Sequence, residues 1–386
     1  MYIHTVKEGE SVYSIAGEYG ISPAKIIENN GLKNPDRLAV GRELLILVPT
    51  RTYTARRGDT LGGIAKRFSV TESEMRKNNP TLSGRSGIYP EEVFAVKYPA
   101  KTHGIALLNG YAYKGTTGER LNLLMPYLSH VTVSSKHYKG ARMHTLFDGS
   151  PCVKAAKALG KRVLLRIYTE GFECGDEKQS SEFIASAIKE AKAMDCDGIT
   201  FNLPRAAESE KLSEFLFGIK KAALAEGLSL SVECGGKILK NLTDTVDSVI
   251  INYDKALGDF EKSFDESERS FYTEAAGLCD TTRAFADLSP FAYLGNNAFP
   301  IEEAERIADR GGLKTDYDSD SMLSKYKTKE GEVIYPSLKN IKARLELCSE
   351  LGFLGYSVDI MRVPVAHLMM LSSMFQLAPD YFSGGI

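Results

Sequence analysis

No tryptophan occurs among the 386 residues, so no indole is available as a floor for a bound ring. The six cysteines (152, 174, 196, 234, 279 and 348) form no Cys-x-x-Cys pair, and none precedes residue 152. That spacing, in a chain of this size, argues against a disulfide framework and for buried free thiols. The six histidines (4, 103, 130, 137, 144 and 367) fall in no metal-ligand pattern such as His-Glu-x-x-His, so neither a metal nor a cofactor is expected. Charge is nearly balanced, at −2 net, which removes the global basic field that nucleic-acid binding would use. No apolar run approaches the roughly eighteen residues of a membrane span. The start, MYIHTVKEGESV, has neither a basic n-region nor an apolar h-region, so no signal peptide is expected in this sequence. What remains is an ordinary globular composition, 43% hydrophobic and 25% charged, long enough for two or three domains.

The first hundred residues repeat. HTVKEGESVYSIAGEYGI (4–21) aligns without a gap on YTARRGDTLGGIAKRFSV (53–70) at an offset of 49. Gly9 falls on Gly58, Glu10 on Asp59, Ser11 on Thr60, and the pair Asn29–Asn30 on Asn78–Asn79. In each unit a short strand ends at the glycine, and the following acid and hydroxyl supply a favourable charge and an N-cap for a helix. Val12, Ile15, Ala16 and Tyr19 recur at helical spacing, as do Leu61, Ile64, Ala65 and Phe68. Second short helices are expected at 23–29 and 72–78, and second strands at 43–48 (ELLILV) and 92–97 (EVFAVK). Both units are therefore strand–helix–helix–strand modules, 1–49 and 51–99, joined at PTR (49–51). By charge the second half of this region is the more basic, with nine basic against five acidic residues in 51–100.

These openings, the Ile-Ala that follows, the paired asparagines and the closings LAVGREL (38–44) and IYPEEVF (88–94) closely resemble the LysM module. The resemblance implies binding of N-acetylglucosamine chains, as in peptidoglycan or chitin, in a groove between the first turn and the loop before the last strand. Carried over, the groove comprises Gly9, Glu10, Ser11 and Val12 with Asn34, Pro35, Asp36, Arg37 and Leu38. In the second unit it comprises Gly58, Asp59, Thr60 and Leu61 with Gly87, Ile88, Tyr89 and Pro90. Two positions depart from the pattern: Glu10 stands for Asp, and Glu91 for the usual Gly.

From residue 102 the rhythm changes to apolar β-rich runs at 105–113, 130–135, 162–168, 198–203, 228–233, 248–254, 291–295 and 354–359. Helical stretches such as 181–194, 209–227 and 337–352 lie between them. Alternating β and α units argue for a parallel sheet, and eight strands over residues 102–386 for a closed (β/α)8 TIM barrel. No Gly-rich dinucleotide loop follows the first strand, which disfavours an open doubly wound sheet. Residues 313–336 read as a hairpin-bearing insertion before the last predicted helix. The fold class is thus α/β, a barrel preceded by two small βααβ modules.

The motifs NGYAY (109–113), LLMPYLSHVTVSS (123–135), DGITFN (197–202), NYD (252–254) and LGYSVD (354–359) resemble family 18 glycoside hydrolases of the bacterial spore-cortex and cell-wall branch. In that family a Glu protonates the leaving oxygen, and an Asp two residues earlier orients the substrate's N-acetyl group, whose carbonyl attacks C1. Residues two apart on a strand point the same way, so both project into the barrel together. Here the motif reads Asp197, Thr200, Asn202 and Pro204, and the acid position is Pro204. The family's tryptophan after the last strand is also missing. Tyr253 and Asp254 match the pair that contacts the reacting acetamide. Glu170, Glu233, Asp254 and Asp359, at predicted C-terminal strand ends, and Glu208, one helical turn past Pro204, are candidates for a relocated acid.

The resemblances imply a glycan-binding protein of the bacterial cell wall or of the spore surface or cortex, with a catalytically degenerate barrel. The expected partner is peptidoglycan or another N-acetylglucosamine glycan, with no nucleic acid and no membrane span. The alternatives are an active N-acetylglucosaminidase with a relocated acid, and a scaffold whose barrel binds a protein.

Overall fold

The computed structural model describes all residues except 171, 175, 204–209, 236–239, 241, 254–258, 289–290 and 379–386. In the first module, strands Tyr2–Thr5 and Glu43–Ile46 pair antiparallel beside helices Val12–Tyr19 and Pro23–Asn30. The second module repeats this with strands Arg51–Thr54 and Val93–Lys97 and helices Leu61–Arg67 and Glu72–Asn78. The cap residues act as their types dictate: Ser11, Ser22, Thr60 and Thr71 each accept a hydrogen bond from a backbone amide of the helix they open.

The paired asparagines tie each module together. Asn30 Nδ2 donates to the carbonyls of Ile26 and Leu45, and its Oδ1 accepts from the Leu45 amide. Asn79 does the same with Met75 and Ala95. One amide side chain thus closes the end of a helix onto the last strand. The buried Lys25 ammonium then joins the modules, 2.5 Å from Glu28 and 2.6 Å from Asn79 Oδ1.

Eight parallel strands close the barrel: Ile105–Ala112, His130–Lys139, Arg162–Glu170, Gly198–Asn202, Ser229–Gly235, Ser248–Asn252, Ala284–Asp287 and Gly355–Asp359. Each pairs with its sequence neighbour among the eight, and the last pairs with the first. Odd and even positions separate cleanly. Ile199 and Phe201 pack outward against the helices, with Phe201 5.4 Å from Phe183 between ring centroids, while Thr200 and Asn202 take the inward register. The interior holds a small apolar cluster of Leu107, Tyr111, Ile250 and Phe285. Beside it lies a polar layer in which Asn109 donates to Ser357 Oγ (2.8 Å) and accepts from Thr132 (2.8 Å).

One predicted strand belongs elsewhere. Residues 291–294 do not enter the barrel. They pair antiparallel with Asn297–Pro300 and Glu332–Pro336 in a separate five-stranded sheet. The seventh barrel strand is Ala284–Asp287, a four-residue run too short to stand out by periodicity. The antiparallel sheet begins well before 313, and helix Ile301–Gly311 packs on it. The hairpin Leu323–Lys327 with Glu332–Pro336 is its later half.

The modules are not appended to the barrel as independent beads. Strand Glu43–Ile46 is buried on both faces: Leu44 and Ile46 fill the first module's own core, while Leu45 and Leu47 join the main core of the barrel. Helix Val365–Met374 is apolar on nearly every side and is buried between the barrel and the second helix of each module. Ala39 enters the core of the antiparallel sheet. Gly41 has φ +86°, and a β-carbon there would overlap the Thr315 carbonyl, so glycine permits this approach. The matching turn of the second module has the exposed Glu91 at φ +69°.

At this contact Arg42 sits between two carboxylates. It pairs with Asp309 and lies 2.8 Å from Glu305, while Asp309 also accepts from the Ala39 amide. One guanidinium serves a buried and a half-buried acid. Burial, only partly opposed by Arg42 and reinforced by Asp309, pushes the Glu305 carboxyl up to about 7.

Two outcomes are expected. Leu45→Ala should lower the stability of the whole chain in one transition, by about 2–4 kcal/mol in denaturant titration, rather than release the first module alone. Glu305 titrates higher folded than the roughly 4.3 of an unfolded glutamate. Its contribution is therefore complete below about pH 4 and is lost as pH rises through about 7. Melting temperature should fall from pH 6 to pH 8, and Glu305→Gln should flatten that fall.

Candidate functional site

The C-terminal ends of barrel strands form one mouth, and the third and fifth strands meet there in an ion pair. Arg166 Nε and Nη2 each lie 2.6 Å from the Glu233 carboxylate, a bidentate fork. Tyr111 donates to the same carboxylate at 2.9 Å, and Arg166 Nη1 reaches Ser134 Oγ at 3.1 Å. Tyr111 and Tyr113 stack at 6.0 Å, and the guanidinium also lies over the rings of Tyr111 and Tyr168. Burial raises the phenol pKa of both Tyr111 and Tyr113, so both stay protonated. Glu233 is 3% exposed and accepts from three donors, an arrangement that ties the strands of the barrel together.

The other carboxylates proposed from sequence are also engaged. Glu170 pairs with Lys139 (2.5 Å) and His137 (3.2 Å), and the Lys139 bond lowers its pKa, which keeps it an anion rather than an acid. Asp359 accepts from the Met361 amide (2.8 Å) and from Arg362 Nη1 (2.5 Å), closing the turn after the last barrel strand. Asp197 lies at the opposite end of its strand from the mouth, on Lys157 (2.6 Å) and the Val163 amide (2.7 Å). Pro204, Glu208 and Asp254 lie outside the described residues.

Asn202 has a specific structural use. Its Oδ1 accepts from the Thr169 amide (2.9 Å) and its Nδ2 faces the Thr169 carbonyl (3.4 Å). An amide satisfies both groups of the neighbouring strand, whereas an aspartate would set a negative charge against that carbonyl. Thr200 is fully buried, and its Oγ1 has no hydrogen-bond partner among the described residues. Tyr253 turns outward, packed at 5.1 Å on Phe271.

Several mouth residues were not singled out from sequence. Arg166 is a charge at an inward position of RVLLRIY, a signal the apolar run masks. Asp287 ends the true seventh strand and acts electrostatically on Tyr111 and Tyr113. Asn252 ends the sixth, its Oδ1 buried and without a partner among the described residues.

The module grooves differ from each other. Glu10 accepts from the Lys7 amide (2.8 Å) and bonds His4 (2.8 Å), and Asp59 accepts from the Arg56 amide and from Tyr53 (both 2.8 Å). The same turn is held by different chemistry, and each acid is lowered in pKa: Glu10 against its burial, Asp59 first by the Arg56 amide. Gly9, Ser11, Asp36 and Arg37 are exposed, while Val12 is buried in the module core. Asn34, Pro35 and Leu38 are half-buried, and Asn34 lines a cavity shared with helix Ile301–Gly311. In the second module Gly58, Thr60, Gly87 and Pro90 are exposed, Leu61 and Ile88 half-buried, and Tyr89 is 65% exposed under the Arg85 guanidinium. Among the described residues no cluster of potential metal ligands occurs, and no helix is long and apolar enough to cross a membrane.

The LysM family model matches residues 4–47 and 53–97, so the chain carries two LysM domains. An endolysin of Bacillus phage B103 is 32% identical over 99 residues, which are 24% of this chain and 38% of that protein. The chain thus spans well under half of that relative's length. The crystal structure of the spore cortex-lytic enzyme SleL of Bacillus megaterium QM B1551 superposes with TM-score 0.74 at 18% identity, covering 98% of this chain and 99% of that one. A GH18 chitinase of Cycas revoluta, solved in complex with (GlcNAc)3, superposes with TM-score 0.56 at 13% identity over 69% of this chain and 99% of its own. Both structural likenesses establish the fold, a TIM barrel, and in SleL the full arrangement of modules and barrel.

Arg166→Met should leave Glu233 buried and unpaired and cost about 3–5 kcal/mol. The paired variant Arg166→Met/Glu233→Leu should recover most of that loss in denaturant titration.

Proposed function

We propose that this protein binds peptidoglycan, or another N-acetylglucosamine glycan, through its two LysM modules (1–49 and 51–99), and that its barrel (102–386) no longer cleaves it. Bacterial cell wall or spore surface and cortex is the compartment this reading places it in. The observation that carries it is the state of the mouth. Proline stands at the acid position, Asn202 is committed to Thr169, and Glu170, Glu233 and Asp359 are each held by a cation. A positioned general acid contributes roughly 10²–10⁴-fold, and none of these groups is free to act as one. On this reading the groove residues are Gly9 to Val12 with Asn34 to Leu38, and Gly58 to Leu61 with Gly87 to Pro90. The exposed Tyr89 makes the second module the stronger sugar contact.

Asp287 supports a second reading, an active glycosidase with a relocated acid. It ends a barrel strand beside Tyr111 and Tyr113. The two readings separate in one experiment. Purified protein is incubated with cortex and vegetative peptidoglycan, the pellet is assayed for bound protein, and the supernatant is assayed for released fragments by mass spectrometry. Binding without release is expected. Release that disappears in Asp287→Asn would establish the second reading and overturn the first.

A further inference from the structure

A cavity of about 540 Å³ lies outside the barrel mouth, in the cleft where the second module meets the barrel. Its floor is apolar, built from Met125, Pro126 and Leu159, and its charged lining is entirely basic: Arg76 and Arg85 from the module and Lys161 from the barrel. Arg76 Nη1 bonds the carbonyls of Leu82 (2.6 Å) and Arg85 (3.2 Å), which fix the guanidinium without neutralising it. Arg85 shares its charge with Glu92 at 2.9 Å and covers the exposed ring of Tyr89. Lys161 Nζ is held at the cleft by the Leu128 carbonyl (2.6 Å).

The cleft is a built junction rather than a gap between loose bodies. Tyr127 donates to the Lys77 carbonyl at 2.7 Å, and a β-carbon at Gly84 would lie 3.9 Å from Asn122 Cβ across the cleft. Along the chain it adjoins the groove assigned above. Gly84, Arg85 and Ser86 line the cleft, and the next four residues, Gly87 to Pro90, form the groove loop.

We propose that this cleft is a second subsite for the same polymer, selecting glycan that bears carboxylates over neutral N-acetylglucosamine chains. The apolar floor takes the ring faces or peptide side groups of the chain, and the basic wall takes its acid groups. The proposal rests on the LysM reading for the first contact and adds a requirement that reading does not make: residues of the barrel should set the preference for charge.

The test uses the full chain and two soluble probes, chitohexaose and a peptidoglycan oligosaccharide with free peptide carboxylates, titrated calorimetrically. Wild type should bind the acidic probe more tightly, with a preference that shrinks as salt is raised. Lys161→Gln, and independently Asn122→Glu, should each reduce acidic-probe affinity about three- to fivefold and leave chitohexaose affinity unchanged. Asn122 is an exposed helix position, so its variant tests the charge without risk to the fold. Equal binding of both probes by wild type, or a preference that survives both substitutions, would overturn the subsite while leaving the LysM reading intact. Failure of wild type to bind either probe would overturn both.

Discussion

Helix Val365–Met374 has no polar face to give to water, and the architecture follows from the need to cover it. One side is taken by the barrel and the neighbouring helix Leu338–Glu350, and the rest by the second helices of the two modules. His367 is carried into this core, where burial lowers its pKa to about 3 and leaves it neutral at any physiological pH. Buried apolar area contributes roughly 25 cal/mol per Å², so a helix covered all round is a large fraction of the net stability of such a chain. The modules are consequently part of the barrel's core. Leu45 and Leu47 on one face of a module strand complete what that helix begins.

A rigid junction changes what two small binding modules can do. Linked by a flexible tether, two weak sites gain avidity by effective concentration alone. Here Lys25 bridges Glu28 and Asn79, Thr81 bonds Glu28, and Arg42 and Glu43 tie the first module to the barrel side through Glu305, Asp309 and Lys339. The grooves therefore have a fixed mutual orientation, and a polymer meets both or one according to its shape. The asymmetry between them has a physical origin. The first module's closing loop is drawn against helix Ile301–Gly311, while the second's stands open with Tyr89 exposed.

Much of this was legible in the sequence because it is local. The repeat at offset 49, the caps at Ser11 and Thr60, and the inward register of Thr200 and Asn202 each follow from spacing and residue type. The run ELLILV was legible as a strand, and its burial on both faces follows from the barrel packed against it. What escaped was short or long-range. AFAD at 284–287 is a four-residue strand with no alternation to detect, and FAYLG, the run assigned to the barrel in its place, serves a sheet outside it. Asp287 was missed with it. The Arg166–Glu233 fork joins residues 67 apart, and no pattern within either strand reveals it. Glu170, Glu233 and Asp359 were correctly placed near strand ends, but a strand end does not say whether a carboxylate is free or already paired.

That last distinction is the one on which function turns. A carboxylate can act as a general acid only while it can hold a proton near neutral pH, which requires burial without a cation or the pressure of a like charge. At this mouth the buried Glu233 has a guanidinium in bidentate contact, and the exposed Glu170 has an ammonium that lowers its pKa. For Glu170 that environment favours the anion. Removing Arg166 would leave Glu233 in the barrel core without its cation and cost more stability than the fold can readily lose. Asn202 shows the same commitment from the neutral side, with its amide spent on both backbone groups of Thr169. The polar groups described at this mouth are engaged in holding the strands together.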